Sequence, residues 1–262
     1  MLRPRLIAAL LVDAHMHLVK TTLFEQRHYL GDPLNAAYVF SGFEVDELLV
    51  LDIDATPDGR SIPAPFVEAL ARFTRVPLTI GGGISSLEQI HDLLALGVEK
   101  LALSSVLSRN FSFLQQAADR FGTSTISVVL NVQHNGVEQP LAWFGRPNPS
   151  TAGQPLLELA LACEQAGAGE LVLNSIDRDG CRTGFDVPLL DTLNSQLTIP
   201  LVALGGCGNH NHIAELLAAS QLSGVAVGSF FVYAPGTQEV LLNYPHTSSW
   251  LAEQLPRLQG AW

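Results

Sequence analysis

The chain is short of cysteine and of positive charge, and it has no apolar run long enough to cross a bilayer. Its three cysteines, Cys163, Cys181 and Cys207, are odd in number and lack metal-ligand spacing. That excludes a disulfide framework and points to a reducing, cytoplasmic compartment. Lys and Arg total 14 against 25 Asp and Glu, a formal charge of −11. So acidic a chain is not built for nucleic acid or an anionic membrane, and an anionic ligand would need local neutralisation by backbone dipoles or a few placed cations. Hydrophobic residues make up 47%, yet no stretch nears the roughly 20 residues a membrane helix needs. Arg3 and Arg5 before Leu6–Val12 imitate a secretion signal, but the run is brief and Asp13 and His15 stand where small cleavage-site residues belong.

What is present is a repeat. Val76-Pro77-Leu78-Thr79-Ile80-Gly81-Gly82-Gly83 is echoed by Ile199-Pro200-Leu201-Val202-Ala203-Leu204-Gly205-Gly206, 123 positions later. Glu47-Leu48-Leu49 and Glu170-Leu171-Val172 keep the same step, as do Leu93-Leu94 and Leu216-Leu217. A period near half the chain length implies two copies of one structural half.

Apolar runs at Leu6–Val12, Leu48–Ile53, Leu78–Ile80, Lys100–Leu103, Ile126–Asn131, Leu171–Asn174, Leu201–Ala203 and Val225–Val227 lack polar alternation, as parallel strands covered on both faces do. Amphipathic segments such as Leu87–Leu96 and Ile213–Ala219 lie between them, with Ser86 and Asn209 at N-cap positions. The expected fold is α/β: one (β/α)₈ TIM barrel over residues 1–262. Its half-barrels span about 1–123 and 124–246, and a C-terminal helix runs to 262. His134–Gln154, rich in Pro, Gly and Asn, reads as a long loop after the fifth strand.

Barrel chemistry sits at the C-terminal strand ends. Gly82 and Gly83 with Ser104 and Ser105 could grip one phosphate, and Gly205 and Gly206 with Gly228 and Ser229 another, through bare N–H groups and hydroxyls. A plain alternative is that these glycines serve tight turns. Ile176-Asp177-Arg178-Asp179-Gly180 is a charged run after the sixth strand, and Asp52 and Asp54 follow the second; each is a site candidate or a solvated loop. Lys20 is a cation of the first loop, able to meet an anion or simply exposed.

Asp13-Ala14-His15-Met16-His17 imitates the first ligand run of metal-dependent amidohydrolases. The eighth strand, Val225-Ala226-Val227-Gly228-Ser229, has no Asp, and the sixth has no His, so no metal is expected. At the opposite strand ends, Arg5, Glu47, Lys100 and Glu170 each begin a strand; pointing inward, they would form a balanced charged ring at the barrel floor.

Together Gly31-Asp32-Pro33, Asp46–Asp54, Pro77–Ile84, Asp119-Arg120-Phe121-Gly122, Gly167–Leu173, Asp177-Arg178-Asp179-Gly180 and Ile199–Gly206 resemble the cyclase subunit of imidazole glycerol phosphate synthase, HisF, of histidine biosynthesis. The resemblance implies a duplicated barrel that binds a doubly phosphorylated ligand, uses no cofactor, and takes ammonia from a HisH-like glutaminase docked on the floor. By the same resemblance Arg5, Glu47, Lys100 and Glu170 are the ammonia gate, and Lys20 and Asp52 match active-site positions. Gly82 and Ser105 fall on one phosphate site; Gly180, Gly206, Gly228 and Ser229 fall on the other. The family's two acid–base aspartates are replaced by Leu11 and Asn131, neither able to transfer a proton in the working range, and Ser104 stands where the family usually has Asn. The ending Gly228-Ser229-Phe230-Phe231-Val232-Tyr233, with Leu241-Leu242-Asn243-Tyr244-Pro245, resembles paralogues associated with acetamidino modification of bacterial surface sugars, lipopolysaccharide included. That resemblance implies a sugar amidotransferase as the ammonia's consumer. The alternatives are a working cyclase and a scaffold that only activates the glutaminase.

Overall fold

The computed structural model describes residues 3–134, 140–145 and 153–245. The chain opens with β1 (Arg5–Val12), passes through a hairpin of β2 (Leu18–Thr22) and β3 (Gln26–Gly31), and enters α1 (Pro33–Gly42). Strands and helices then alternate: β4 (Glu47–Asp52), α2 (Ala64–Phe73), β5 (Leu78–Gly81), α3 (Leu87–Ala95), β6 (Lys100–Leu103), α4 (Ser112–Phe121) and β7 (Ile126–Gln133). Two short strands follow, β8 (Leu141–Trp143) and β9 (Gln154–Pro155), before α5 (Leu156–Gln165). The described chain is completed by β10 (Glu170–Ser175), α6 (Val187–Asn194), β11 (Leu201–Leu204), α7 (His210–Ala219), β12 (Gly224–Val227) and α8 (Ser229–Val232).

β1, β4, β5, β6, β7, β10, β11 and β12 pair in that order, all parallel, and β12 returns to β1. The result is a closed eight-stranded (β/α)₈ barrel, as the unalternated apolar runs require. Strand residues divide by pleat. In β1, Leu6, Ala8 and Leu10 join the large core under the helices. Ile7 and Ala9 turn inward and meet Leu49, Ala102, Val129, Val172, Val202 and Ala226 in a separate lumen cluster.

Helix starts follow local chemistry. Asp32 accepts from Leu34 N–H with Pro33 leading α1, and Ser86 forms a reciprocal capping box with Gln89. Asn209, 123 positions after Ser86, accepts from His212 N–H. The glycine pairs repeat their packing at the same step. A Cβ on Gly82 would lie 2.6 Å from Asp52 Cβ, and one on Gly205 would lie 2.7 Å from the Ser175 carbonyl. A Cβ on Gly83 would strike the Arg60 carbonyl, and one on Gly206 the Gly184 carbonyl. Both pairs hold positive φ, so glycine is required here for close loop packing.

Three expectations change. The first loop contains the β2–β3 hairpin, whose alternation is too short and polar to announce itself. His134–Gln154 is not a plain loop: β8 pairs antiparallel with β7, and β9 with β8, extending the sheet over the mouth. The C-terminal helix expected to reach 262 falls beyond Pro245 and so outside the described residues. Among those residues, no helix is long and apolar enough to cross a membrane.

Candidate functional site at the barrel mouth and floor

At the floor, the four strand-start charges meet. Arg5 bridges Glu47 and Glu170 through its two terminal nitrogens. Lys100 Nζ closes the circle, 2.8 Å from Glu47 and 3.1 Å from Glu170. Thr79 donates to Glu47 at 2.6 Å and Ser127 to Glu170 at 3.3 Å. Both glutamates are buried. Burial opposes the Arg5 charge, but Glu170 and Glu47 outweigh it and hold the guanidinium above its ordinary range. The two carboxylates are repeat-related; both cations come from the first half.

Above the ring lies the apolar lumen, and above that a cavity of about 1000 Å³. It reaches down to Ala9, Ala102, Val129 and Ala226, and Leu11, Asp52, Ser104, Ser105, Asn131, Asp179, Gly180 and both glycine pairs line it, with Gly228 and Ser229.

Lys20 is neither in a loop nor exposed. It lies on β2, is buried, and its Nζ donates to Ala9 O at 2.7 Å. Burial lowers its pKa to about 8, partly opposed by the Asp179 charge. A Cβ on Gly228 would collide with this ammonium, so that glycine makes room for it. Asp179 accepts from Thr21 Oγ1 at 2.7 Å and from Phe24 N–H at 3.2 Å. Burial pushes its carboxyl up, against those bonds and Lys20.

The Lys20 shift has a testable sign. Between pH 8 and the ordinary lysine range the unfolded chain binds more protons, so stability rises with pH there, and below pH 8 the full cost of burying the charge is present. Lys20→Met is therefore expected to be more stable than the parent at pH 7, with the gap closing as pH rises above 8. Urea titrations at pH 7 and 9.5 read this directly.

Asp52 is wholly engaged. It accepts from Asp54 N–H at 3.1 Å and Ala55 N–H at 3.0 Å, and it grips Arg60 with both oxygens. Its work is to hold the β4–α2 loop and present Arg60 to the mouth. Asp54 instead pairs with Arg27 at 2.7 Å. Ser104 is likewise committed: its hydroxyl donates to Val129 O at 2.7 Å and accepts from Gly145 N–H at 2.8 Å, leaving it no free donor for a phosphate. Ser105 Oγ remains at the rim, 3.0 Å from Thr56 Oγ1. Asp177 accepts from His134 N–H at 2.7 Å, and Arg178 donates to Gly184 O at 3.1 Å, so this pair organises loops.

Asp13 spends its carboxylate on His15 and His17 N–H groups at 2.9 Å each, an ordinary turn. Among the described residues no group of three His, Cys, Asp or Glu side chains is placed to hold a metal. Arg60 and Arg109, both lining the cavity, escaped sequence reasoning because they stand in loops away from any strand end. Only the helix and loop geometry swings them to the rim.

Residues 5–236 match the family described as histidine biosynthesis protein. The chain belongs to that family. It is 38% identical to a Leptospira borgpetersenii protein provisionally named imidazole glycerol phosphate synthase subunit HisF, covering 94% of this chain and 96% of the relative. It is 36% identical to a Pseudomonas aeruginosa protein provisionally named as the hisF2 subunit of the same synthase, covering 94% and 97%. Lactococcus lactis HisF matches at 34% over 79% and 80%. In this histidine biosynthesis family barrel, Leu11 and Asn131 face the mouth, on β1 and β7. Leu11 is bare hydrocarbon. Asn131 donates through Nδ2 to Gly145 O at 2.6 Å and accepts from Asn174 Nδ2 at 3.1 Å, so both ends of its amide are engaged.

Proposed function

We propose that this barrel receives ammonia at its floor from a HisH-like glutaminase and passes it to the mouth for a glutamine-dependent amidation. The final acceptor in this reading is a bacterial surface-polysaccharide sugar, amidated by a separate sugar amidotransferase. One observation carries it: a charge-balanced ring sits under an apolar lumen, while the mouth above has no proton-transferring pair at Leu11 and Asn131. Neutral NH₃ tolerates an apolar lumen; ammonium does not. Ring opening by the docked partner would admit the neutral form. The glycine pairs, Lys20 and Arg60 supply donors for a small phosphorylated ligand at the mouth, which would signal occupancy to the floor or position the acceptor.

The relatives' names favour a second reading, a working cyclase, in which Asp179, its carboxyl raised by burial, handles protons. The two readings separate by experiment. With the glutaminase reconstituted and ¹⁵N-amide glutamine as nitrogen source, channelling predicts a ¹⁵N product even with excess ¹⁴N-ammonium. Free dilution of the label by external ammonium would reduce the barrel to a scaffold. Imidazole formation by the isolated barrel would establish the cyclase.

A further inference from the structure

Asn131 looks like a lost aspartate until its partners are followed. The Gly145 backbone is held at both of its polar groups: its N–H by Ser104 Oγ at 2.8 Å, its carbonyl by Asn131 Nδ2 at 2.6 Å. Ser104 can accept there because its own proton goes to Val129 O. A carbonyl cannot donate, so Asn131 must turn its NH₂ toward Gly145 and its oxygen toward Asn174, whose Nδ2 meets it at 3.1 Å. The direction of every bond is thereby set. The chain ends at Asn174 Oδ1, which is buried and has no hydrogen-bond partner among the described residues. Gly145 is also pressed onto Ser105: a Cβ there would lie 3.0 Å from Ser105 Oγ.

We propose that Ser104 and Asn131 are positioning residues, a two-sided clamp that holds the Trp143–Gly145 strap across the mouth as the aromatic wall of the ligand cavity. Asn174 orients the Asn131 amide. Ser104 and Asn131, two of the three departures from the family pattern, are on this account a matched pair acting on one residue. Asparagine is required because an ionised carboxylate, nearly its isostere, has no proton to give Gly145 O and would repel it. The strap contributes Ala142, Trp143 and Phe144 to the cavity wall, and Trp143, the register partner of Asn131, is buried. The clamp stands whether or not the barrel conducts ammonia.

Trp143 reports on the clamp once Trp250→Phe and Trp262→Phe leave it as the single tryptophan. In that background Asn131→Asp is expected to raise acrylamide quenching of Trp143 several-fold and to red-shift its emission, with far-UV circular dichroism unchanged. Ser104→Ala releases the same residue at its N–H without adding charge, and is expected to do the same even if Asn131→Asp fails to fold. Quenching that stays at the parent level in a folded Ser104→Ala or Asn131→Asp protein overturns the clamp.

Discussion

Glu170→Ala is expected to cost about 3 kcal/mol of stability, the low end for breaking a buried pair, because it removes the buried carboxylate that half-buried Arg5 and Lys100 share with Glu47. Glu170 takes bonds from Arg5, Lys100 and Ser127 at once. Its loss leaves Glu47 as the only carboxylate facing both cations, and the ring goes from balanced to net positive. Lys100→Met leaves the opposite imbalance, with Arg5 still bridging both glutamates, and should cost less. Urea denaturation ranks the two. In the reconstituted glutaminase system both variants should still hydrolyse glutamine but lose transfer, releasing ammonium to solvent. If Glu170→Ala folded with parental stability, the ring would not be the balanced, interlocked device its geometry describes. If it unfolded more readily yet coupled fully, the ring would be structural and the gate would lie elsewhere.

The second expectation concerns chemistry at the mouth. Given the cyclase substrate and ammonium salt, the purified barrel should turn over at least on the order of 10²–10⁴-fold more slowly than a cyclase retaining both carboxylates, that being the usual contribution of one positioned acid or base. Restoring Leu11→Asp and Asn131→Asp together should not recover the rate. A carboxylate at 131 faces the Gly145 carbonyl at the 2.6 Å now spanned by an N–H bond, so the strap must move before the group could meet a substrate. Leu11→Asp alone places a charge against the apolar top of the lumen, where Leu51 and Leu204 pack. Full recovery of cyclisation by the double reversal would show that the mouth has kept its catalytic shape and lost only two side-chain atoms' worth of chemistry.

Much of this molecule was legible from one dimension. Eight apolar runs marked the barrel strands to within two residues at their ends, because a strand buried on both faces carries no polar alternation. Ser86 and Asn209 announced their helices because cap chemistry is local. Arg5, Glu47, Lys100 and Glu170 were placed in one ring by counting strand starts, since barrel closure puts equivalent strand positions at one height. The site was less readable. Lys20 read as a loop cation because the β2–β3 hairpin is too short and polar to show a pattern, and burial within it could not be foreseen. Asp52 read as a reactive carboxylate, whereas its oxygens are spent on Arg60, a loop residue eight positions on. Ser104 read as a phosphate ligand, whereas its hydroxyl serves a peptide that the β7–β8 hairpin returns to it from 41 positions away.

The order of apolar runs, the 123-residue echo and the capping residues were enough to specify a duplicated barrel, since each depends on neighbours in sequence or on a period running along it. Whether a given side chain is free to act rests on partners distant in the chain: Arg60 for Asp52, Ala9 for Lys20, Gly145 for Asn131. Those partners are chosen by closure of the barrel and the path of its loops, and a hydrogen-bonding group's chemistry is spent or spared only when the fold delivers them.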